Sequence, residues 1–375
     1  MKVILTGGGT GGHFYPLMAV AEELNNIIDS ENLADTRLYY VADKPYDKKL
    51  LYENSITFKQ VSAGKLRLSF SLQVIPDLIK AAVGVFQAIL VVFSIFPDVV
   101  FSKGGYVAFP TVFAARLLGI PVIIHESDSV PGRVNLWSGK FARAVAVSYK
   151  QEVDYFPKDK IVHTGQPIRH DLLEPTEEGA HEFLDLEEDT PILWILGGSL
   201  GAQKINYEIE EALPELLEKY QVVHQVGKKN LEAMTKLTEA TLVNHDFKYR
   251  YHIFGELNTL SMKMLAGISD VVISRAGSAL FEIAHWEIPS IIIPITHSNG
   301  NHQIKNAYNY AREGACIVIE ENNLSTQLLI FEINRIYENE KVREKMKAGA
   351  KSFNIEGAAR KIAEEIVGIG LAHDK

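Results

Sequence analysis

Cysteine is almost absent: Cys316 is the only one in 375 residues. A single thiol excludes an internal disulfide and leaves no thiolate set for a metal. Its apolar surroundings, Ala315-Cys316-Ile317-Val318-Ile319, fit a buried strand residue. Also missing are the zinc helix H-E-x-x-H and the phosphate loop G-x-x-x-x-G-K-[ST]. Long apolar runs are scarce. The one uncharged stretch of note, AAVGVFQAILVVFSIFP at 81–97, contains Gly84, Gln87, Ser94 and Pro97. It falls short of the roughly 20 residues that span a bilayer. No signal-peptide pattern opens the sequence, so a cytoplasmic protein is expected.

Charge is the next asymmetry. The net charge is −9, but residues 1–165 carry 17 Lys and Arg against 15 Asp and Glu, and the remainder 21 against 32. An acidic second half argues against nucleic acid, and the near-neutral first half suits an anionic surface or ligand.

What is present is a regular grammar. Apolar β-rich runs of about five residues alternate with helical periodicities, the pattern of parallel α/β sheets. The grammar repeats: Asp98-Val99-Val100-Phe101-Ser102-Lys103-Gly104-Gly105 is echoed by Asp270-Val271-Val272-Ile273-Ser274-Arg275-Ala276-Gly277. Each copy leads through a helical stretch to an Ile-Pro strand start, at Ile120-Pro121 and Ile288-Pro289. Each half also opens on a strand that ends in glycines, Val3–Gly9 and Ile192–Ser199, and the polar stretch Glu174–Asp189 separates the halves. Two doubly wound domains are therefore expected, with ligands beyond the carboxyl ends of their strands.

Four strand-to-helix turns offer backbone N–H groups to an anion: Gly7–Gly12, Gly104-Gly105-Tyr106, Gly197–Gly201 and Ala276-Gly277-Ser278. Gly7, Gly9 and Gly12 satisfy G-x-G-x-x-G, yet the first acid at a following strand end, Asp43, lies farther on than the roughly twenty residues a dinucleotide fold requires. A phosphate cradle is the better reading, and ligand-free tight turns are the bland one. His13, directly after Gly12, is placed to take a proton from a sugar hydroxyl, or to serve as a structural hydrogen-bonder. Polar groups at other strand ends include His125-Glu126-Ser127-Asp128, Arg169, Glu282 and Asn301-His302-Gln303. An arginine, four anion turns and several amides and carboxylates suit a nucleotide sugar.

GGGTGGH, SKGGY, HESD, GQPIR, GGSLGAQKIN and SRAGSALFE with IPSIIIP and NHQIKNA, in that order, closely resemble the MurG family. Those enzymes transfer N-acetylglucosamine from its UDP form to the undecaprenyl-diphosphate-linked muramyl peptide of peptidoglycan synthesis. The resemblance implies a GT-B fold, two Rossmann-like doubly wound domains facing across a cleft, and an inverting transfer with no cofactor and no obligatory metal. It implies an acceptor- and membrane-binding domain over 1–165, joined by a C-terminal helix at about 345–375, and a UDP-GlcNAc-binding domain over 166–344. His13 is the expected base for the muramyl 4-hydroxyl, with His125 and Asp128 as alternatives or orienting groups. Gly8, Gly9, Gly104, Gly105 and Tyr106 are expected to receive the acceptor. Thr10, Gly11, Gly12, Arg169, Ser199, Phe254, Arg275, Gly277, Glu282, His302 and Gln303 are expected to contact UDP-GlcNAc. Two departures stand out: Asp128 where many members have asparagine, and His302-Gln303 where they have a glutamine pair.

A lipid-linked acceptor requires contact with the cytoplasmic membrane face, and it raises the prospect of other cell-wall synthesis proteins as partners. Ile75, Leu78, Ile79, Ala82, Val83 and Phe86 follow helical spacing near Lys65, Arg67 and Lys80, so peripheral attachment through this stripe is expected. The rival readings are an epimerase acting on UDP-N-acetylglucosamine, a nicotinamide-dependent oxidoreductase and a non-catalytic nucleotide-sugar binder.

Overall fold

Alternate residues of the central strands enter different cores, which explains why those strands are apolar throughout rather than at every second position. The computed structural model describes residues 1–33, 35–64, 74–198, 201–296 and 299–373. They form two units, 1–169 with 355–375 and 170–354.

In the first unit the strands are β1 (Lys2–Thr6), β2 (Arg37–Ala42), β3 (Ile56–Gln60), β4 (Val99–Ser102), β5 (Val122–Glu126), β6 (Ala144–Val147) and β7 (Ile161–His163). They lie parallel in the order β3-β2-β1-β4-β5-β6-β7. Val3 and Leu5 of β1 pack with Phe14, Leu17 and Ala21 of the helix Gly11–Ser30, and with Ile362, Ala363 and Ile366 of the helix Ala358–His373. Ile4, between them in sequence, points to the other face, where Ala88, Val92 and Val112 cover it. The order reverses between β1 and β4, so the turns Gly7–Gly12 and Lys103–Tyr106 stand side by side at the switch point.

The second unit repeats this plan with β8 (Ile192–Leu196), β9 (Gln221–Gln225), β10 (Tyr251–Phe254), β11 (Val271–Ser274), β12 (Ser290–Ile292) and β13 (Cys316–Val318). Their order, β10-β9-β8-β11-β12-β13, is that of the first six strands. The sequence echo has a structural reason. Asp98, just before β4, accepts the N–H of Lys2 at 2.6 Å, and Asp270, just before β11, accepts that of Ile192 at 2.8 Å. Each aspartate thus fixes the register at the central strand pair of its sheet.

The chain passes between units at Arg169/His170 and Asn354/Ile355, later at both points than the expected 165/166 and 344/345. Two contacts explain the shift. The Arg169 guanidinium sits 4.3 Å above the Tyr15 ring, which keeps Arg169 in the first unit. Met346, in the helix Glu340–Phe353, is buried in the core of the second. The polar stretch 174–189 is a part of that second unit, with Ala180, Leu184 and Leu186 buried.

Candidate functional site

In the first unit the sequence from Lys103 to Tyr106 packs directly beneath the opening glycine turn. A β-carbon on Gly104, whose φ is +79°, would lie 2.6 Å from the Asn135 side-chain oxygen, so only glycine lets the two chains approach there. Gly105, also at positive φ, leaves room for the His13 ring, whose Nε2 would be 3.5 Å from an added β-carbon. Gly9 lies in the same way against the Tyr106 ring. His13, Gly9, Gly105 and Tyr106 are therefore brought together. Thr10 is the N-cap residue of the helix Gly11–Ser30, and its Oγ1 is 3.0 Å from His13 Nδ1. When Nδ1–H donates to that hydroxyl, Nε2 keeps its lone pair, the form a general base requires. Gly9 and Thr10 are exposed, so this corner is accessible to a ligand.

His125 is different in kind. It is fully buried, and its Nε2 lies 3.0 Å from the Gly165 carbonyl, to which it can only donate. Burial, with Lys103 nearby, holds its pKa well below the ordinary value and keeps it neutral. Asp128 is half-buried on the following loop.

That loop is organised by a residue named above only as one of the polar groups at a strand end. Glu126, at the end of β5, accepts the N–H groups of Ser127 at 2.8 Å, Asp128 at 3.1 Å and Gly132 at 2.9 Å, and the Asn135 side-chain amide at 3.0 Å. Burial, and then the Asp128 carboxylate, raise its pKa, opposed by Lys103 and these donors. Asn135 also donates to the His125 carbonyl at 3.0 Å, so it ties the Asp128 loop to the Gly104 turn it packs against. Glutamate at a strand end followed by Ser-Asp was the available signal. Its partner Asn135, nine positions on, has no periodicity that marks it.

In the second unit one glycine of each turn stands open. An added β-carbon on Gly198 or Gly277 would meet nothing within 4 Å. Ser199 lies outside the described residues. Of the other expected donor contacts, Arg275, Gly277, Glu282, His302 and Gln303 lie on or near the Arg275–Ser278 turn after β11. Arg275 donates to the Ile293 carbonyl at 3.0 Å and pairs with the Glu321 carboxylate. Asn306 of the helix His302–Arg312 donates to the Ala276 carbonyl at 3.1 Å, which brings the start of that helix, with His302 and Gln303, to the same end of the sheet. The Gln303 side-chain oxygen accepts the Ile295 N–H at 3.1 Å. Glu282 is half-buried in the helix Ala279–His285 that follows Gly277. Phe254 ends β10, and its carbonyl accepts the Val226 N–H at 2.9 Å.

Two doubly wound units with one strand order, each with glycine turns at the carboxyl ends of its central strands, define the GT-B class of glycosyltransferase fold. Residues 3–147 match the glycosyltransferase family 28 N-terminal domain, and residues 192–365 match its C-terminal domain. The chain belongs to glycosyltransferase family 28. It is similar to the UDP-N-acetylglucosamine–N-acetylmuramyl-(pentapeptide) pyrophosphoryl-undecaprenol N-acetylglucosamine transferase 2 of Bacillus cereus, 34% identical over 97% of this chain and 99% of the relative. The crystal structure of MurG from Acinetobacter baumannii superposes with a TM-score of 0.71 at 25% identity, covering 98% of this chain and 99% of that one. A UDP-GlcNAc 2-epimerase from Neisseria meningitidis, bound to UDP-GlcNAc, shares the fold at a TM-score of 0.66 and 16% identity, over 98% of this chain and 100% of that one.

Proposed function

We propose that this protein transfers N-acetylglucosamine from UDP-N-acetylglucosamine to the 4-hydroxyl of undecaprenyl-diphosphate-linked N-acetylmuramyl peptide. The observation that carries the chemistry is the His13 corner: an imidazole over Gly105, its Nδ1 at the Thr10 hydroxyl, beside two turns rich in backbone donors. Kinship over nearly the whole chain to a transferase named for this donor and acceptor supports the substrate pair.

In the proposed step the acceptor oxygen attacks the anomeric carbon of N-acetylglucosamine opposite the diphosphate. The carbon–oxygen bond to UDP breaks, UDP leaves with the electron pair, and the 4-hydroxyl proton passes to His13 Nε2. Configuration inverts in this single displacement. In this reading His125, buried and donating to Gly165, orients the end of β5, and His13 is the base. Gly8, Gly9, Gly104, Gly105 and Tyr106 cradle the acceptor diphosphate. Thr10, Gly11 and Gly12 with Arg169, Ser199, Phe254, Arg275, Gly277, Glu282, His302 and Gln303 serve the donor. Tyr15 stacks on the Arg169 guanidinium, and Glu321 pairs with that of Arg275. Backbone dipoles at the glycine turns stabilise the departing charge with no obligatory metal, so turnover is expected to survive EDTA.

The acceptor's lipid explains an exposed stripe on the helix Val74–Ile95. Ile79, Val83, Phe86, Leu90 and Phe93 fall on one side at helical spacing, with Phe86 and Phe93 more than 60% exposed, while Ala88, Val92 and Ile95 are buried opposite. Among the described residues no helix is long and apolar enough to cross a membrane. The stripe therefore rests on the cytoplasmic leaflet as a peripheral contact. Lys65, Arg67 and the side chains of Ile75 and Leu78 lie outside the described residues.

Purified protein given UDP-N-acetylglucosamine and a short-chain acceptor analogue tests the assignment. UDP release only when both are present is the expected result. Release without acceptor, as an epimerase or hydrolase would give, or none at all, overturns it.

A further inference from the structure

The glycine turn after β8 rests on the last residue of β9 and the residue that follows. A β-carbon on Gly197 would lie 2.5 Å from the Gln225 carbonyl oxygen, and one on Gly201 2.4 Å from that of Val226. Both flanks of the turn therefore take their position from Gln225 and Val226. Asn206, fully buried in the helix Gln203–Leu216, donates from Nδ2 to the Val226 carbonyl at 3.0 Å. Asn230 donates to the same oxygen at 2.8 Å. With its amide nitrogen committed, Asn206 faces His224 with its oxygen, 3.1 Å from Nε2. Nε2 must therefore carry the proton, and Nδ1 accepts from the Tyr251 hydroxyl at 3.0 Å. A directed chain of hydrogen bonds runs from β10 through β9 and the helix to the carbonyl beneath the turn.

We infer that Asn206, His224 and Tyr251 are positioning residues for Gly201, the C-terminal flank of a glycine turn that meets the UDP diphosphate, an inference that rests on the donor-site reading above. The chain has one hydrogen-bonding direction, because Asn206 cannot flip without setting its oxygen against the Val226 carbonyl. His224 is neutral throughout the working pH range, burial having lowered its pKa to about 3, so the proton on Nε2 is fixed. Burial, and then Glu210, push the Tyr251 hydroxyl up and keep it a donor. None of the three need touch the nucleotide. A change in any of them shifts the Val226 carbonyl on which Gly201 sits, and with it Gly201.

Two near-isosteric replacements of His224 separate positioning from simple packing. Glutamine places an amide near Nε2 and keeps the donor to Asn206; asparagine reaches only the Nδ1 position and loses it. Titration calorimetry with UDP is expected to give a His224→Gln affinity within about threefold of the parent and a His224→Asn affinity about tenfold weaker, the scale of one lost hydrogen bond. Tyr251→Phe should fall between them. In the transfer assay the loss should appear as a raised KM for UDP-N-acetylglucosamine, with kcat changed less than about threefold. Thermal melts identify any variant that fails to fold, and Tyr251→Phe, which removes one hydroxyl, then decides the question. Equal UDP affinity in folded His224→Asn, His224→Gln and Tyr251→Phe overturns the inference. A parent protein that binds UDP but transfers no sugar defeats the transferase reading alone; one that does not bind UDP defeats both.

Discussion

The two units share a strand order and an aspartate at the same place, yet their turn glycines meet different things. In the first, Gly104 is packed against the Asn135 side chain, and Gly105 and Gly9 lie in contact with His13 and Tyr106. In the second, Gly197 and Gly201 are packed against the Gln225 and Val226 carbonyls, while Gly198 and Gly277 face open space. Side chains therefore close on the turn in the first unit, and backbone carbonyls with open space surround the turns in the second. Under the proposed function this gives a duplicated scaffold a chemical half, around His13, and a holding half.

The comparison breaks most sharply at His13. His13→Ala is expected to lower kcat by about 100- to 10,000-fold, the range for losing a general base, while UDP affinity measured by calorimetry stays the same. An equal loss in both would place His13 on the holding side.

Next come the glycines themselves. Gly104→Ala should cost about 1–3 kcal/mol, since alanine would need both a left-handed φ and the displacement of Asn135. Gly277→Ala, with nothing to strike, should leave the melting temperature within a degree or two and weaken UDP binding instead. If both variants melted alike, the contrast between packed and open turns would be lost.

A smaller effect is expected at the exposed helix. Changing Phe86 and Phe93 together to serine should reduce sedimentation with anionic phospholipid vesicles by about tenfold, with turnover on a short-chain acceptor unaltered. Unchanged vesicle binding would remove the membrane role from this stripe.

The smallest is a pH dependence common to both units. His125 and His224 are each buried on a strand with a folded pKa below the ordinary 6.5, His224 at about 3. A depressed histidine pKa means that the unfolded chain takes up the proton first. Stability is therefore full above about pH 6.5 and falls as the pH drops toward the folded value. Urea midpoints at pH 7.5 and 5.5 should differ in the parent and differ less in His224→Gln, which has no ring to protonate. A dependence identical in the two proteins would assign the effect to other groups.

The fold was legible because its signals are local. Apolar runs, glycine turns and the repeated Asp-Val-Val are all written within a few consecutive residues, and the repeat matched the actual register of two sheets. His13 stood out as a candidate for the same reason, as it adjoins a recognisable turn. Glu126, Asn135, Asn206 and His224 were not, because their importance lies in the partners they reach across nine to twenty positions: Glu126 with Asn135, Asn206 with the Val226 carbonyl, and His224 with Asn206. The crossing points between units lie later than expected by the same logic. Arg169 belongs with Tyr15 through a stacking contact that spans most of the first unit's sequence.

The helix Ala358–His373 lies against the helix Gly11–Ser30, and its Ile362, Ala363 and Ile366 complete the core around Val3 and Leu5. On the ribosome, that core lacks one wall until the helix Ala358–His373 has been made. The second unit, continuous from 170 to 354, has all its parts earlier. The half of the enzyme whose synthesis begins first is therefore expected to be finished last. A chain stopped after Asn354 is expected to contain a protease-resistant second unit and a first unit that is readily digested.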